Sequence, residues 1–228
     1  MNIFITGTSR GIGRYLMEYY AAQGHTIFGC SRSSFEYPNY THFVADLTDE
    51  QACMQLCRKL RKIAQIDVLI NNAGIASMNH FMMTSYAQLE TIFKTNVFSS
   101  FLFMREFSKG MIKSGFGRIV NFSSVAVPLS IEGEAVYAAS KSATETLTRI
   151  TAKELGKFGN ITVNAIAPNP IETDIIKHVP KDKLNALIAQ QAIPRYGKME
   201  DIANAVDFFI DPNSSMVTGQ VVYLGGIS

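Results

Sequence analysis

Short apolar runs of strand length alternate with longer segments of helical period along the whole chain, and this alternation restricts the fold more than any other feature. The runs are Ile3–Thr6, Thr26–Cys30, Asp67–Ile70, Arg118–Phe122, Ile161–Ile166 and Gln220–Leu224. Between them lie helical segments at Arg14–Gln23, closed by Gly24, at Glu50–Ile63, and at about Gln88–Lys113, Val136–Lys157 and Met199–Phe209. Strands joined through helices pair in parallel, and right-handed crossovers place the helices on both faces of one sheet. The expectation is α/β: a doubly wound parallel sheet (Rossmann) of about seven strands with helices on both faces. A ligand would sit beyond the carboxyl ends of the strands. With 228 residues, 47% hydrophobic and 18% charged, the chain is expected to form one domain over 1–228. That domain includes the Pro-bearing segment 168–195 as its substrate side. No repeat, low-complexity tract or linker interrupts it.

Charge and cysteine usage exclude several classes. Twenty-one Lys plus Arg against nineteen Asp plus Glu leaves +2, with no basic run to track a phosphate backbone, so no nucleic-acid partner is expected. The cysteines number three, and Cys53 and Cys57 stand one helical turn apart without neighbouring histidines, which argues against a disulfide framework and against a metal site. Met1–Ile5 enters an apolar strand without a basic leader, and no apolar stretch approaches the roughly 18 residues of a membrane span. The expectation is a cytoplasmic protein without membrane association.

Three motifs carry chemistry. Thr6-Gly7-Thr8-Ser9-Arg10-Gly11-Ile12-Gly13 joins the first strand to the first helix. Glycines there permit a tight turn and a close approach of backbone N–H groups to a diphosphate, although a plain glycine-bearing turn has the same composition. Asn71-Asn72-Ala73-Gly74 follows the third strand. Tyr137-Ala138-Ala139-Ser140-Lys141 puts a phenol and an ammonium four residues apart on one helix face. A lysine there can favour the phenolate of a tyrosine whose free pKa is near 10, but a core tyrosine beside a solvated lysine has the same spacing. Together the three motifs resemble the short-chain dehydrogenases/reductases. The resemblance extends through Asn164–Pro168 to Thr218-Gly219-Gln220 and is greatest for the 3-oxoacyl-acyl-carrier-protein reductase group.

That resemblance implies an oxidoreductase that moves hydride between NADP(H) and a carbonyl or secondary alcohol. It implies Ser124, thirteen positions before Tyr137, as the polarising hydroxyl, with Ser123 left as a backbone-bonded turn residue. Tyr137 becomes the acid/base, Lys141 its tuner and a ribose contact, and Asn96 the holder of a relay water. The cofactor would meet Gly7, Thr8, Ser9, Arg10, Gly11, Ile12 and Gly13, then Asn72, Ala73 and Gly74, together with Tyr137 and Lys141. Asp46 and Leu47 would border the adenine, and Ile171 and Thr173 the nicotinamide carboxamide. No acid stands between Gly29 and Ser34, where NAD would need one for its ribose hydroxyl. Ser31, Arg32 and Arg10 offer a hydroxyl and two cations instead, so NADP(H) is favoured over NAD(H), with Glu36 as the competing acid.

Asn169, Val127 and Gly225 depart from the family pattern, as does a short C-terminus; the first two put substrate identity in doubt. The substrate is expected to be a small carbonyl compound, free or linked to a carrier protein or CoA. His80, Met78, Met82 and Met83 are placed to line a substrate mouth, with loop packing as the simpler reading, and His25 and His42 receive no role. The alternative to an enzyme is a nucleotide-sensing regulatory protein or partner subunit on the same fold. The Gln88–Lys113 helix is apolar on more faces than one sheet can cover, through Val97/Phe101/Met104, Phe98/Leu102 and Phe103/Phe107/Met111. A homodimer or homotetramer is therefore expected.

Overall fold

The structure is a computed structural model and describes residues 1–38, 40–171 and 181–227. Seven parallel strands run β1 (Asn2–Thr6), β2 (Thr26–Ser31), β3 (Tyr40–Val44), β4 (Val68–Asn71), β5 (Phe116–Phe122), β6 (Asn160–Ala167) and β7 (Val221–Tyr223). Their spatial order is β3-β2-β1-β4-β5-β6-β7, so the winding reverses between β1 and β4. The register pairs Ile3 with Ile27 on one side and Val68 on the other. The helices are α1 (Gly11–Ala22), α2 (Glu50–Ile63), α3 (Tyr86–Phe93), α4 (Ser99–Ser114), α5 (Ala126–Leu129), α6 (Ala135–Leu155), α7 (Lys181–Ala189) and α8 (Met199–Ile210). Among the described residues no helix is long and apolar enough to cross a membrane.

Side chains alternate across a strand, so β1 feeds two cores. Ile3 and Ile5 pack with Leu16, Met17, Val206 and Phe209 beneath α1 and α8. Phe4 faces the other way into Phe103 and Phe107, each ring centroid 5.3 Å away, under α2 and α4. Cys30, Cys53 and Cys57 are free thiols buried in this second core, and burial raises the pKa of each.

Four elements depart from the sequence expectation. Strand β3 went unread because it is an edge strand with no fully buried residue, so its pattern lacks a clean apolar alternation. The Gln88–Lys113 segment is longer, from a Ser85 cap to a left-handed Gly115, and a π-helical turn at Lys94–Phe98 splits it into α3 and α4. Helices α5 and α7 were not anticipated. The surplus apolar faces of α4 are mostly covered within the chain: Leu102, Phe103, Met104, Phe107 and Met111 are buried. Phe98 and Phe101 remain 52% and 44% exposed.

Candidate active site

The turn from β1 to α1 is built around its glycines. Gly7 (φ +75°) and Gly11 (φ +58°) take left-handed conformations that cost residues with a Cβ. Gly7 N and Thr8 N both donate to Cys30 O, at 2.9 and 3.2 Å, clipping the turn to β2. From β4, Asn72 Nδ2 donates to Thr6 O at 2.9 Å, and Ala73 N donates to Thr6 Oγ1 at 2.9 Å. A Cβ on Gly13 would lie 2.9 Å from the Gly7 carbonyl carbon, and nearer still to its oxygen and to Asn72 Nδ2. Thr8 is buried, Ser9 half-buried and Arg10 exposed, while Ile12 packs onto the α1/α8 core. No side chain caps the start of α1, and its first turn carries no acid. Those free N–H groups and the positive end of the helix dipole suit an anion, so the turn fits a dinucleotide diphosphate.

At the end of β2 the expectation for Ser31 needs correction. Its hydroxyl is buried and donates to Ser33 O at 2.7 Å, turned into the protein rather than toward a phosphate. Arg32 is exposed at the mouth, and Glu36 is exposed on the following loop. Asp46 Oδ1 accepts from Thr48 N and Oγ1, both 2.9 Å, and these bonds hold the carboxyl below its ordinary pKa. Leu47 lies in the core beside it. The cap of α2 is Asp49, which accepts from Gln51 N and Ala52 N.

His42, without a role on sequence grounds, acquires one in the structure. His42 Nε2 lies 3.0 Å from Ser33 O, an acceptor only, so this nitrogen carries the proton. His42 Nδ1 then accepts from Tyr40 OH at 2.8 Å, and the Tyr40 oxygen accepts from Thr8 Oγ1 at 2.5 Å. Burial lowers the His42 pKa, which favours this neutral form. A Cβ on Gly29 would collide with the Tyr40 phenol oxygen, so that glycine admits the link between the second strand's loop and the glycine turn.

The residues expected to be catalytic converge between the ends of β4 and β5. Asn96 lies in the π-helical turn, buried, with Oδ1 accepting from Ile75 N at 2.9 Å and Nδ2 donating to Ile75 O and Ser140 Oγ, both at 3.0 Å. A Cβ on Gly74 would stand 3.3 Å from Lys141 Nζ and 3.4 Å from Asn96 Oδ1, so these three residues are neighbours. Ser124 follows β5 and stands close enough to the Tyr137 phenol on α6 to favour its phenolate. The Lys141 ammonium donates to Phe122 O at 2.8 Å and sits 5.8 Å from the centre of the Tyr137 ring. The electrostatic expectation therefore changes. Burial, with Glu134 adding to it, pushes the Tyr137 phenol up to about 12, while the group that lowers it is Ser124 rather than Lys141. Burial brings Lys141 down to about 8. At neutral pH the phenol holds its proton, as a donor to a carbonyl oxygen requires.

Glu134 was missed. It precedes Tyr137 by three residues at the start of α6, its side chain makes no cap bond, and burial raises its pKa. The helical i, i+3 spacing was the available signal. Ser123 N donates to Ile166 O at 2.7 Å, but its hydroxyl is not turned to the backbone: it donates to Glu145 Oε1 at 2.6 Å.

On the substrate side, two departures explain each other. Asn169 Nδ2 donates to Gln191 Oε1 at 2.9 Å and to Arg195 O at 3.1 Å. A Cβ on Gly225 would collide with that Gln191 oxygen, so Gly225 makes room for the amide that Asn169 binds. Nothing in the structure explains Val127. Ile171 is buried and bridges to Gly197, whereas Thr173 lies outside the described residues. His80 and Phe81, with Ser130–Gly133, Ala135 and Ala138, line a cavity of about 380 Å³ beside the start of α6. Met82 and Met83 are exposed rather than packed.

Comparison with known proteins gives consistent relatives. A family model described as enoyl-(acyl carrier protein) reductase matches residues 7–227. The 3-oxoacyl-[acyl-carrier-protein] reductase FabG of Escherichia coli K12 is 32% identical over 97% of this chain and 94% of its own length. The FabG of Vibrio cholerae is 31% identical over the same shares. Among solved structures, a 4-hydroxyisoleucine dehydrogenase complexed with NADH superposes with a TM-score of 0.90 at 27% identity, covering 100% of this chain and 98% of that one. A putative NAD(P)-dependent gluconate 5-dehydrogenase from Beutenbergia cavernae, with bound NADP, gives 0.90 at 27% identity, covering 97% and 94%.

Proposed function

This chain belongs to the short-chain dehydrogenase/reductase family of oxidoreductases, and from that premise we propose that it is an NADPH-dependent reductase of a small ketone. The observation that carries the reading is the placing of Ser124, just after β5, beside the Tyr137 phenol on α6, with the Lys141 ammonium 5.8 Å from the centre of the Tyr137 ring. Two hydroxyls beside each other serve one oxygen that gains electron density, which a carbonyl supplies.

When bound, the nicotinamide supplies hydride to the carbonyl carbon. The residues of this chain do the rest. Ser124 donates a hydrogen bond to the carbonyl oxygen and polarises it. Tyr137 gives that oxygen its phenolic proton, and Ser124 eases the transfer by favouring the phenolate. Lys141, anchored on Phe122 O, contributes positive charge beside the site and is suited to a ribose hydroxyl. Asn96, held at both ends by Ile75 and bonded to Ser140, keeps the polar floor in place for a proton-relay water. Gly7–Gly13 and Asn72–Gly74 would hold the dinucleotide, with Ile171 toward the nicotinamide and Asp46 and Leu47 toward the adenine.

The NADPH preference rests on Arg32 and Arg10, cations at the mouth of a strand end that has no acid. The likeness to FabG supports a carrier-protein- or CoA-linked 3-oxoacyl substrate. We further assign a cytoplasmic location and a homodimer or homotetramer, the latter because Phe98 and Phe101 stay exposed on α4. The test is oxidation of NADPH and of NADH against a ketone panel led by acetoacetyl-CoA. Turnover with NADPH preferred is the expected result, and Arg32→Asp should shift the ratio of kcat/KM toward NADH at least about tenfold. A wild-type preference for NADH would overturn the cofactor assignment, and no turnover with either cofactor on any ketone would favour the regulatory alternative.

A further inference from the structure

Helix α6 meets the sheet through a polar seam rather than a purely apolar one. Its buried face carries Ser140, Lys141, Thr144, Glu145 and Thr148. Asn71 Nδ2 donates to Asn121 Oδ1 at 2.8 Å, and Asn121 Nδ2 donates to Thr148 Oγ1 at 2.8 Å. Burying so many polar groups costs stability unless each is paired, whereas apolar packing is non-directional. What paired polar groups add is register: sliding α6 along the sheet breaks these bonds together.

Glu145 is the charged member of this seam and is 3% exposed. Its Oε1 accepts from Ser123 Oγ at 2.6 Å and from Tyr223 OH at 2.7 Å, and its Oε2 accepts from Arg149 at 3.1 Å. Ser123 follows β5 and Tyr223 ends β7, two strands that flank β6. One carboxylate thus ties α6 to both. Lys141, one turn earlier, donates to Phe122 O. Two consecutive residues, Phe122 and Ser123, are therefore fixed by α6 immediately before Ser124, which must meet Tyr137 on that same helix.

We propose that Glu145 is a positioning residue for the reaction: by accepting from Ser123 and Tyr223 it locks the end of β5 against α6 and so sets the Ser124–Tyr137 contact. The proposal rests on the reading of Ser124 and Tyr137 as the reacting pair. Glu145 touches neither, so its removal acts through their geometry, and a misplacement of about 1 Å is worth on the order of 10²-fold in rate.

The test compares Glu145→Leu, Glu145→Gln and Tyr137→Phe in the full chain, using the ketone on which the wild type is fastest, with NADPH affinity measured separately by fluorescence titration. Glu145→Leu should lower kcat at least tenfold and leave the NADPH Kd within twofold. It should also move the titration of Tyr137 in the kcat–pH profile to higher pH, because the Ser124 contact that favours the phenolate is weakened. Glu145→Gln keeps an oxygen for Ser123 and Tyr223 and should recover most of the loss. If Glu145→Leu fails to fold, the double variant Ser123→Ala/Tyr223→Phe removes the donors instead and should give the same fall and the same pH shift. An unshifted pH profile, or a loss confined to cofactor affinity, overturns the proposal. An active Tyr137→Phe would instead overturn the reading beneath it.

Discussion

Adding one methyl group at Gly13 tests the cradle more sharply than removing a charge. A Cβ there lies 2.9 Å from the Gly7 carbonyl carbon and closer to the Gly7 oxygen and Asn72 Nδ2. Ordinary carbon–carbon contact is about 3.5–4.0 Å, so the groups must part by on the order of 1 Å. Neither neighbour can yield alone. Gly7 N is clipped to Cys30 O, and Asn72 Nδ2 to Thr6 O. The shift therefore moves the glycine turn against the start of α1, where the diphosphate is to bind. Overpacking of this kind costs about 1–3 kcal/mol of stability, and a misplacement of about 1 Å lowers kcat/KM by on the order of 10²-fold. NADPH titration by fluorescence should show Gly13→Ala binding far more weakly, with a modest fall in Tm. Gly24→Ala is the control, since Gly24 has a positive φ but nothing within 4 Å of its would-be Cβ. It should lose stability and keep its affinity. A Gly13→Ala protein that binds NADPH within twofold of wild type would refute the cradle.

Three further outcomes are expected. Tyr137→Phe should lower kcat by about 10²–10⁴-fold with the NADPH Kd unchanged, and retention of most turnover would reject the acid role. Glu134→Gln removes a negative charge that raises the Tyr137 pKa. The phenol should then lose its proton at lower pH, so the alkaline fall in reductive kcat should begin earlier, and a shift to higher pH would contradict the assignment. Light scattering at micromolar concentration should give two or four times the 25.2 kDa chain mass, whereas a monomer would show that Phe98 and Phe101 face solvent.

The sequence alone determined the winding and the chemistry that depends on spacing along the chain. Strands buried on both faces, such as β1 and β4, write themselves as continuous apolar runs, and a tyrosine four residues before a lysine must share a helix face with it. The glycine turn is likewise local, because a positive φ at Gly7 and Gly11 selects the residue directly. Strand β3 was invisible for the opposite reason: at an edge, its residues answer to solvent as much as to the core. Contacts between residues distant in sequence were decided only in three dimensions. The spacing lets Lys141 face the phenol, but its ammonium donates to the Phe122 carbonyl that the fold brings to it. Ser31 looked like a phosphate ligand until the returning loop offered it Ser33 O. Asn169 and Gly225 are separate oddities in the sequence and become one arrangement when Gln191 is placed between them. Spacing along one element fixes which side chains share a face, but the pairing of buried polar groups is chosen by whatever donors and acceptors the tertiary packing brings within about 3 Å, and no local pattern encodes that choice.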